Sequence, residues 1–285
     1  MSSRVSSKAG ASTRKVRNEV VQSNRTVRQK KDKAPLLRPF FSYYGGKWRD
    51  ALRLYPEPKF TTIVEPFAGS AGYSLRHHHG RKVILWERDP TLVRVWRFLI
   101  KAKRRDILAI PDLEPGQSVD DMKGVGPEAR LLVGFWLNRG AASPRKSPSR
   151  WMRDLIRPGS FWGERVRQTI ANQVDLIRDW EIHEGDYTEC SVQTEATWFV
   201  DPPYEQAGQY YRYGADQLDY KALAEWCRKR PGQVIVCENA GADWLPFSDP
   251  QEVKTTRAAR RSKEVHCILE NGVVSVSQPA SPTEA

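Results

Sequence analysis

Asp201-Pro202-Pro203-Tyr204 bring together the residue types needed to handle a planar ring that carries an amino group. A carboxylate and a backbone carbonyl can each accept one amino hydrogen. An aromatic side chain can stack on the ring itself. Prolines fix φ and cannot donate to a β ladder, so the pair leads the chain stiffly out of a sheet. The five residues before it, Ala196-Thr197-Trp198-Phe199-Val200, are apolar, aromatic or β-branched and read as a buried strand. The tetrapeptide is therefore expected at the carboxyl end of a strand, where open α/β sheets bind ligands. A proline turn capped by an aspartate is the other reading of the same four residues.

Three further groups could complete a ligand site. Tyr44-Gly45-Gly46-Lys47 ends an aromatic run, and its glycines permit close backbone approach while Lys47 offers a cation to a carboxylate. Thr61–Glu65 reads as a strand running into Pro66-Phe67-Ala68-Gly69-Ser70-Ala71-Gly72, a glycine-rich turn expected to open a helix whose first N–H groups face a polar ligand. This loop is neither GxGxxG nor a P-loop. Lys82–Trp86 is the next strand and ends in Glu87-Arg88-Asp89, an acid at the position where a ribose diol is commonly held. His77-His78-His79 cannot share one helical face and read as surface rather than metal ligands.

The elements that must position these residues follow a broken βα rhythm. The chain has 285 residues with 39% hydrophobic content, enough for a large α/β domain with an insertion. It holds no apolar run of about 18 residues that would span a membrane, and its polar, basic start lacks the apolar stretch of a secretory signal. Residues 1–38 carry eleven Lys/Arg against Glu19 and Asp32, so they account for +9 of the net +12. Residues 1–37 are expected to form a disordered basic arm able to touch nucleic acid without sequence preference. From Thr91 to about Glu184 the pattern is helical: Ala129–Leu137 reads as a buried helix, and Val166, Ile170, Val174 and Ile177 form a stripe on another. Between them Arg139–Trp151 is a basic, Ser/Pro-rich loop, and Arg139, Arg145, Lys146 and Arg150 are its candidate nucleic-acid contacts. The rhythm then returns with strands at Trp180–His183, Ala196–Val200, Gln233–Cys237 and Lys263–Leu269. The loop Glu205–Gly214, with Tyr210, Tyr211 and Tyr213, is suited to cover a substrate. Cys190, Cys227, Cys237 and Cys267 lack the spacing of a zinc site and read as reduced, buried small hydrophobes. The last ten residues read as a loose tail.

Taken together, Tyr44-Gly45-Gly46-Lys47, Glu65-Pro66-Phe67-Ala68-Gly69-Ser70 and Asp201-Pro202-Pro203-Tyr204, with a lesser match at Arg261-Ser262-Lys263-Glu264-Val265, resemble the Dam-type adenine-specific DNA methyltransferases. The resemblance runs from about Phe41 to about Asn271. It departs from the family at Ala71, where the loop usually has glycine. It implies a Rossmann-like α/β sandwich with a mostly parallel sheet and one reversed strand, formed by residues 38–100 and 185–275. A helical target-recognition insertion would occupy 101–184. The implied cofactor is S-adenosylmethionine: Gly69 and its neighbours against its methionine end, Lys47 near its carboxylate, Glu87 or else Asp89 on the ribose and Asp186 near the adenine, with Tyr44, Gly45, Glu65 and Phe67 also among the cofactor-binding residues. Asp201, Pro202, Pro203 and Tyr204 would then hold a flipped adenine of duplex DNA, with no metal, in a monomeric cytoplasmic enzyme of a bacterial or phage-infected cell. A cytosine amino group or an RNA adenine would suit the same chemistry, and a catalytically silent DNA-binding protein would suit the same fold.

Overall fold

A computed structural model describes residues 36–113, 116–138, 140–150, 161–254 and 261–275 of the chain. The expected basic arm, apart from Leu36 and Leu37, and the expected C-terminal tail lie outside these residues, as do Arg139 and Trp151. All described residues belong to one compact unit, Pro35–Ala285. Packed structure starts slightly before the expected boundary at 38, because Leu37 is fully buried and its carbonyl accepts a 2.7 Å hydrogen bond from Trp48 Nε1.

The central sheet runs β1 (Thr62–Glu65), β2 (Lys82–Glu87), β3 (Glu181–Glu184), β4 (Ala196–Val200), β5 (Gly232–Asn239), β6 (Gln251–Lys254), β7 (Arg261–Glu270) and β8 (Val273–Val274). Its spatial order is β3-β2-β1-β4-β5-β7-β6, with β8 returning on β7. Strands β1 to β5 pair in parallel, whereas β7 lies antiparallel between β5 and β6. This is a Rossmann-like α/β sandwich, mostly parallel, with one reversed strand in the seven-strand path. The order turns back between β1 and β4, so their carboxyl ends form the crevice at the topological switch point. The glycine loop after Glu65 and the tetrapeptide after Val200 both open there.

The helices are α1 (Gly72–His77), α2 (Pro90–Lys101), α3 (Arg104–Leu108), α4 (Pro127–Trp136), α5 (Glu164–Ala171) and α6 (Tyr220–Arg228). Successive strand residues point to opposite faces, and burial on both faces explains the near-continuous apolar runs of β4 and β5. One face of the sheet presents Val64, Trp198, Val200, Val234 and Val236 to Leu223, Ala224 and Cys227 of α6. On the other face, Val83 and Leu85 join a core with Leu75 of α1, Trp96 of α2 and the helices of the insertion. Among the described residues of 102–180 there are helices, 3-10 turns and loops but no strand.

Several elements differ from the sequence expectation. The aromatic run and glycine pair lead into a 3-10 turn at Lys47–Arg49 followed by further turns. The Val166–Ile177 stripe is buried throughout, but it breaks at Gln173. The Gln173 amide accepts from the Arg38 N–H at 2.9 Å and donates to the Arg38 carbonyl at 2.7 Å, so it ties down the start of the packed chain. His77 is buried rather than on the surface: its ring packs 4.5 Å from Tyr73, and burial lowers its pKa to about 4. Strand β6 is too short and polar, and β8 at two residues too short, for their periodicity to show.

The departure at Ala71 resolves into a specific backbone path. Ala71 holds the left-handed conformation (φ 51°, ψ 44°) that the usual glycine would adopt. A Cβ on neighbouring Gly72 would lie 2.6 Å from the Trp48 backbone nitrogen and 2.9 Å from that of Lys47. The loop therefore keeps its turn with a strained alanine and needs the glycine one residue later, for close approach. Ala71→Gly should change unfolding free energy little, since relief of about 1 kcal/mol of left-handed strain offsets a similar gain in unfolded-chain entropy. Gly72→Ala should cost about 1–3 kcal/mol by overpacking. Urea denaturation of the two variants checks this contrast, and equal losses would contradict it.

Candidate active site

At the switch point lies a pocket of about 880 Å³, counted to its open mouth, whose lining includes all nine residues expected to touch a cofactor. Asp201 and Pro203 also face it, whereas Tyr204 faces a second, larger cleft. Lys47 lines both. The tetrapeptide thus stands between two spaces, with its carboxylate toward one and its ring toward the other.

The glycine loop is tied in place by the acids around it. Glu65 Oε1 accepts from the Ser74 N–H at 2.7 Å and so satisfies an open donor in the first turn of α1. Glu87 Oε2 accepts from the Gly69 N–H at 2.9 Å, and its Oε1 accepts from the Asp89 N–H at 2.8 Å. Trp96 Nε1 donates to the Gly69 carbonyl at 2.9 Å. Asp89 caps α2 by accepting from the Thr91 N–H at 2.9 Å. Asp186 caps the turn after β3 by accepting from the N–H and the hydroxyl of Thr188. Phe67 stacks on Tyr187 with centroids 5.3 Å apart, forming an apolar wall. Burial raises Glu87 to about 7 and Glu65 to about 8, the latter despite the opposing bond from Ser74.

The resemblance implies a sulfonium cofactor, and the chemistry of this lining fits one. Five carboxyl groups (Glu65, Glu87, Asp89, Asp186, Asp201) line it with three cations (Lys47, Arg88, Arg212), so acceptors are at hand for a ligand's hydroxyl and ammonium groups and cations for its carboxylate. Each Glu87 oxygen uses one lone pair on the backbone and keeps another for a hydroxyl. The loop expected to cover a substrate lies over the pocket. Tyr211 places its hydroxyl above Gly45, where any Cβ would collide with it, and donates to the Tyr44 carbonyl at 3.3 Å. Arg212 reaches Asp89 at 3.4 Å, and Arg88 lies 4.6 Å from the Tyr213 ring centroid.

Between the two spaces the groups are charged and buried. Lys47 Nζ lies 3.0 Å from Asp201 Oδ1, 3.8 Å from Glu264 Oε1 and 4.7 Å from the Tyr204 ring centroid, and donates to the Gly45 carbonyl at 2.9 Å. Burial opposes the Lys47 charge, but Asp201 and Glu264 together hold it well above the usual lysine value. Burial pushes the Asp201 carboxyl up, Lys47 pulls it down, and Glu264 adds to the rise. Lys47 Nζ and Asp201 Oδ1 form an ion pair at 3.0 Å, and the carboxylate has lone pairs beyond that contact for a further donor. The Tyr204 hydroxyl is buried beside the same carboxyl group. Pro203's carbonyl is occupied at 2.6 Å by the Tyr220 hydroxyl, whereas among the described residues no hydrogen bond engages the carbonyl of Pro202, which is buried and lines neither cavity.

The larger cleft runs between the insertion, represented by Trp136, Arg165 and Thr169, and the sheet edge at Tyr204, Asn239, Ser262 and Glu264. Arg38, Arg49 and Arg165 supply its arginines, and all three are exposed. The sequence reading missed them because they are far apart in the chain and stand in no basic run. It favoured Arg139, Arg145, Lys146 and Arg150 instead. Of these, Arg139 lies outside the described residues, and the other three line neither cavity. The physical reason is that the loop is pinned to the insertion: the Arg145 N–H donates to the Gly134 carbonyl at 3.0 Å, and the Val119 N–H donates to the Lys146 carbonyl at 2.7 Å. Lys146 is also paired with Asp120 at 2.7 Å. Among the described residues no group of three or more His, Cys, Asp and Glu could hold a metal, and no helix could cross a membrane.

No family model matches the chain, and no curated protein matches its sequence. Among solved structures, the rRNA methyltransferase AviRa from Streptomyces viridochromogenes is similar at 13% identity and a TM-score of 0.34, over 80% of this chain and 86% of that one.

The raised acids predict a pH effect on stability. Unfolded Glu65 ionises near 4.5 and folded Glu65 near 8, so between these values the folded state holds a proton that the unfolded state has lost. This contribution is fully present below about 4.5 and declines as pH rises toward 8. Glu65→Gln keeps the acceptor for the Ser74 N–H but cannot ionise. Its stability relative to the parent should therefore climb across that window and level off above it, as read by chemical denaturation at a series of pH values. A constant difference would contradict the assignment.

Proposed function

We propose that the chain is an S-adenosylmethionine-dependent methyltransferase acting on the exocyclic amine of adenine in DNA. The observation that carries this reading is the meeting, at the switch point, of the Asp201 carboxylate, paired with Lys47 at 3.0 Å, and the glycine-loop pocket that both residues line. When bound, the cofactor supplies an electrophilic methyl group, whose bond to sulfur breaks as the bond to nitrogen forms. The residues around Gly69 and Glu87 would hold it, with Phe67 and Tyr187 as its apolar wall.

The protein's part is to make a poor nucleophile attack. The lone pair of an aromatic amine is delocalised into the ring. With one amino hydrogen held by Asp201 and the other by a backbone carbonyl of the tetrapeptide, the nitrogen is favoured in the pyramidal form that frees its lone pair. The buried carboxylate makes the stronger, charge-assisted bond. It is also the nearest acceptor for the proton that the nitrogen must lose after methylation. Tyr204, facing the larger cleft, would stack on the flipped base and offset its lost stacking in the duplex. Arg38, Arg49 and Arg165 would meet backbone phosphates along that cleft.

Transfer of labelled methyl to duplex DNA, single-stranded DNA and RNA tests the reading, with the DNA arms expected to be labelled at adenine. Label on RNA alone, or on cytosine, would replace the proposed substrate. Asp201→Ala should lower single-turnover transfer by about two to four orders of magnitude while changing cofactor affinity by less than about tenfold. Asp201→Asn keeps a neutral acceptor and should retain more activity than the alanine variant. Near-parent transfer by Asp201→Ala would reduce the tetrapeptide to a structural turn.

A further inference from the structure

The Lys47 ammonium stands among two carboxylates rather than one. Lys47 comes from the 3-10 turn after the glycine pair, Asp201 from the end of β4 and Glu264 from β7, the reversed strand. The three side chains are only 6%, 20% and 13% exposed. Glu264 is held from behind by Tyr55, whose hydroxyl donates to Oε2 at 2.9 Å. Tyr55 in turn packs edge-on against Phe199 at 5.1 Å, on the strand that carries Asp201. Glu264 therefore has a fixed place, one oxygen toward Tyr55 and the other toward Lys47.

We propose that Glu264 is a positioning residue that shares Lys47 with Asp201 and so makes the Asp201 carboxylate a stronger acceptor for the substrate amine. The proposal rests on the amino-transfer reading above. With one carboxylate, the buried ammonium would form a closed one-to-one pair and Asp201 would lose much of its pull on an amino hydrogen. With two, the cluster carries a net negative charge when both acids are ionised. That excess favours the positive charge that grows on the amino nitrogen as its new bond forms. The bond from Tyr55 restrains Glu264, so it meets Lys47 without swinging round to replace Asp201. Nothing in the position requires Glu264 to touch the base.

The test uses the full chain and has two readouts. Carboxyl carbon NMR, with the Asp201 signal identified by its loss in Asp201→Asn, gives the Asp201 titration midpoint without turnover. Single-turnover methyl transfer to duplex DNA gives rate against pH. The groups facing Asp201 are Lys47 from the 3-10 turn, Glu264 from β7, Glu65 from β1 and Cys237 from β5, with Tyr55, Tyr204 and Tyr211 from the loops. Glu264 raises the Asp201 midpoint, so Glu264→Gln should move that midpoint and the acid limb of the rate profile to lower pH. Transfer should fall at least about tenfold, with cofactor affinity kept within about twofold. Glu264→Asp, which restores the charge, should return the midpoint toward the parent value. An unmoved midpoint with parent transfer in Glu264→Gln would overturn the proposal. If that variant does not fold, Tyr55→Phe releases Glu264 Oε2 with every charge retained: reduced transfer at unchanged cofactor affinity supports the proposal, and parent transfer overturns it. A parent chain that methylates no nucleic acid would instead remove the functional reading, and the NMR midpoints would still decide the role of Glu264.

Discussion

Taking an ammonium group out of water costs several kcal/mol unless opposite charges meet it, and much of this structure is arranged to meet Lys47. The 3-10 turn carries it inward, Gly72 lets that turn lie against the start of α1, and the end of β4 supplies Asp201. Strand β7 must run backward between β5 and β6 to bring Glu264 to the same point. Four parts of the chain separated by up to about 200 residues thus converge on one charge. Removing one partner of such a buried pair typically costs about 3–5 kcal/mol, so the cluster constrains the fold as well as the chemistry.

The carboxylates around the glycine loop show a second economy of design. Glu65, Glu87, Asp89 and Asp186 each accept at least one backbone N–H at the end of a strand or the start of a helix or turn. These bonds hold the pocket's shape from within the protein, and oxygen lone pairs remain on the same groups for a ligand. A site whose first contacts are already fixed loses less freedom on binding. The strained left-handed backbone at Ala71 is kept by the same surroundings.

The sheet was readable in the sequence wherever strands were buried on both faces. Ala196–Val200 and Gln233–Cys237 stand out because every side chain meets a core. Gln251–Lys254 did not stand out, since an edge strand gains its order from a neighbour rather than from its own pattern. The glycines and acids of the pocket were legible because their types answer to local backbone needs. What local sequence could not supply was convergence across the fold. The lesser match around Glu264 gave no sign of its distance to Lys47. The roles of Gln173 on Arg38 and of Tyr220 on the Pro203 carbonyl are likewise set only once the chain has closed. His77 was misread because its sequence neighbours are also histidines, while its burial comes from Tyr73 and the packing beneath it. The described cations of the basic loop, Arg145, Lys146 and Arg150, are exposed but line neither cavity, since charge density says nothing about which way a pinned loop faces.

The four cysteines are all free and all buried, at Cys190, Cys227, Cys237 and Cys267. They are spread over the loop before β4, helix α6, strand β5 and strand β7. Burial raises each thiol's pKa, so in the closed molecule a thiol is both shielded and poor in reactive thiolate. An alkylating reagent can therefore label these sites only when the layer covering them parts, and the labelling rate measures the frequency of that opening. Cys237 lies on the strand beside the charged cluster and Cys227 on the helix across the sheet, so the two report on opposite faces. The chain carries four built-in clocks for its own breathing, with no added probe to disturb it.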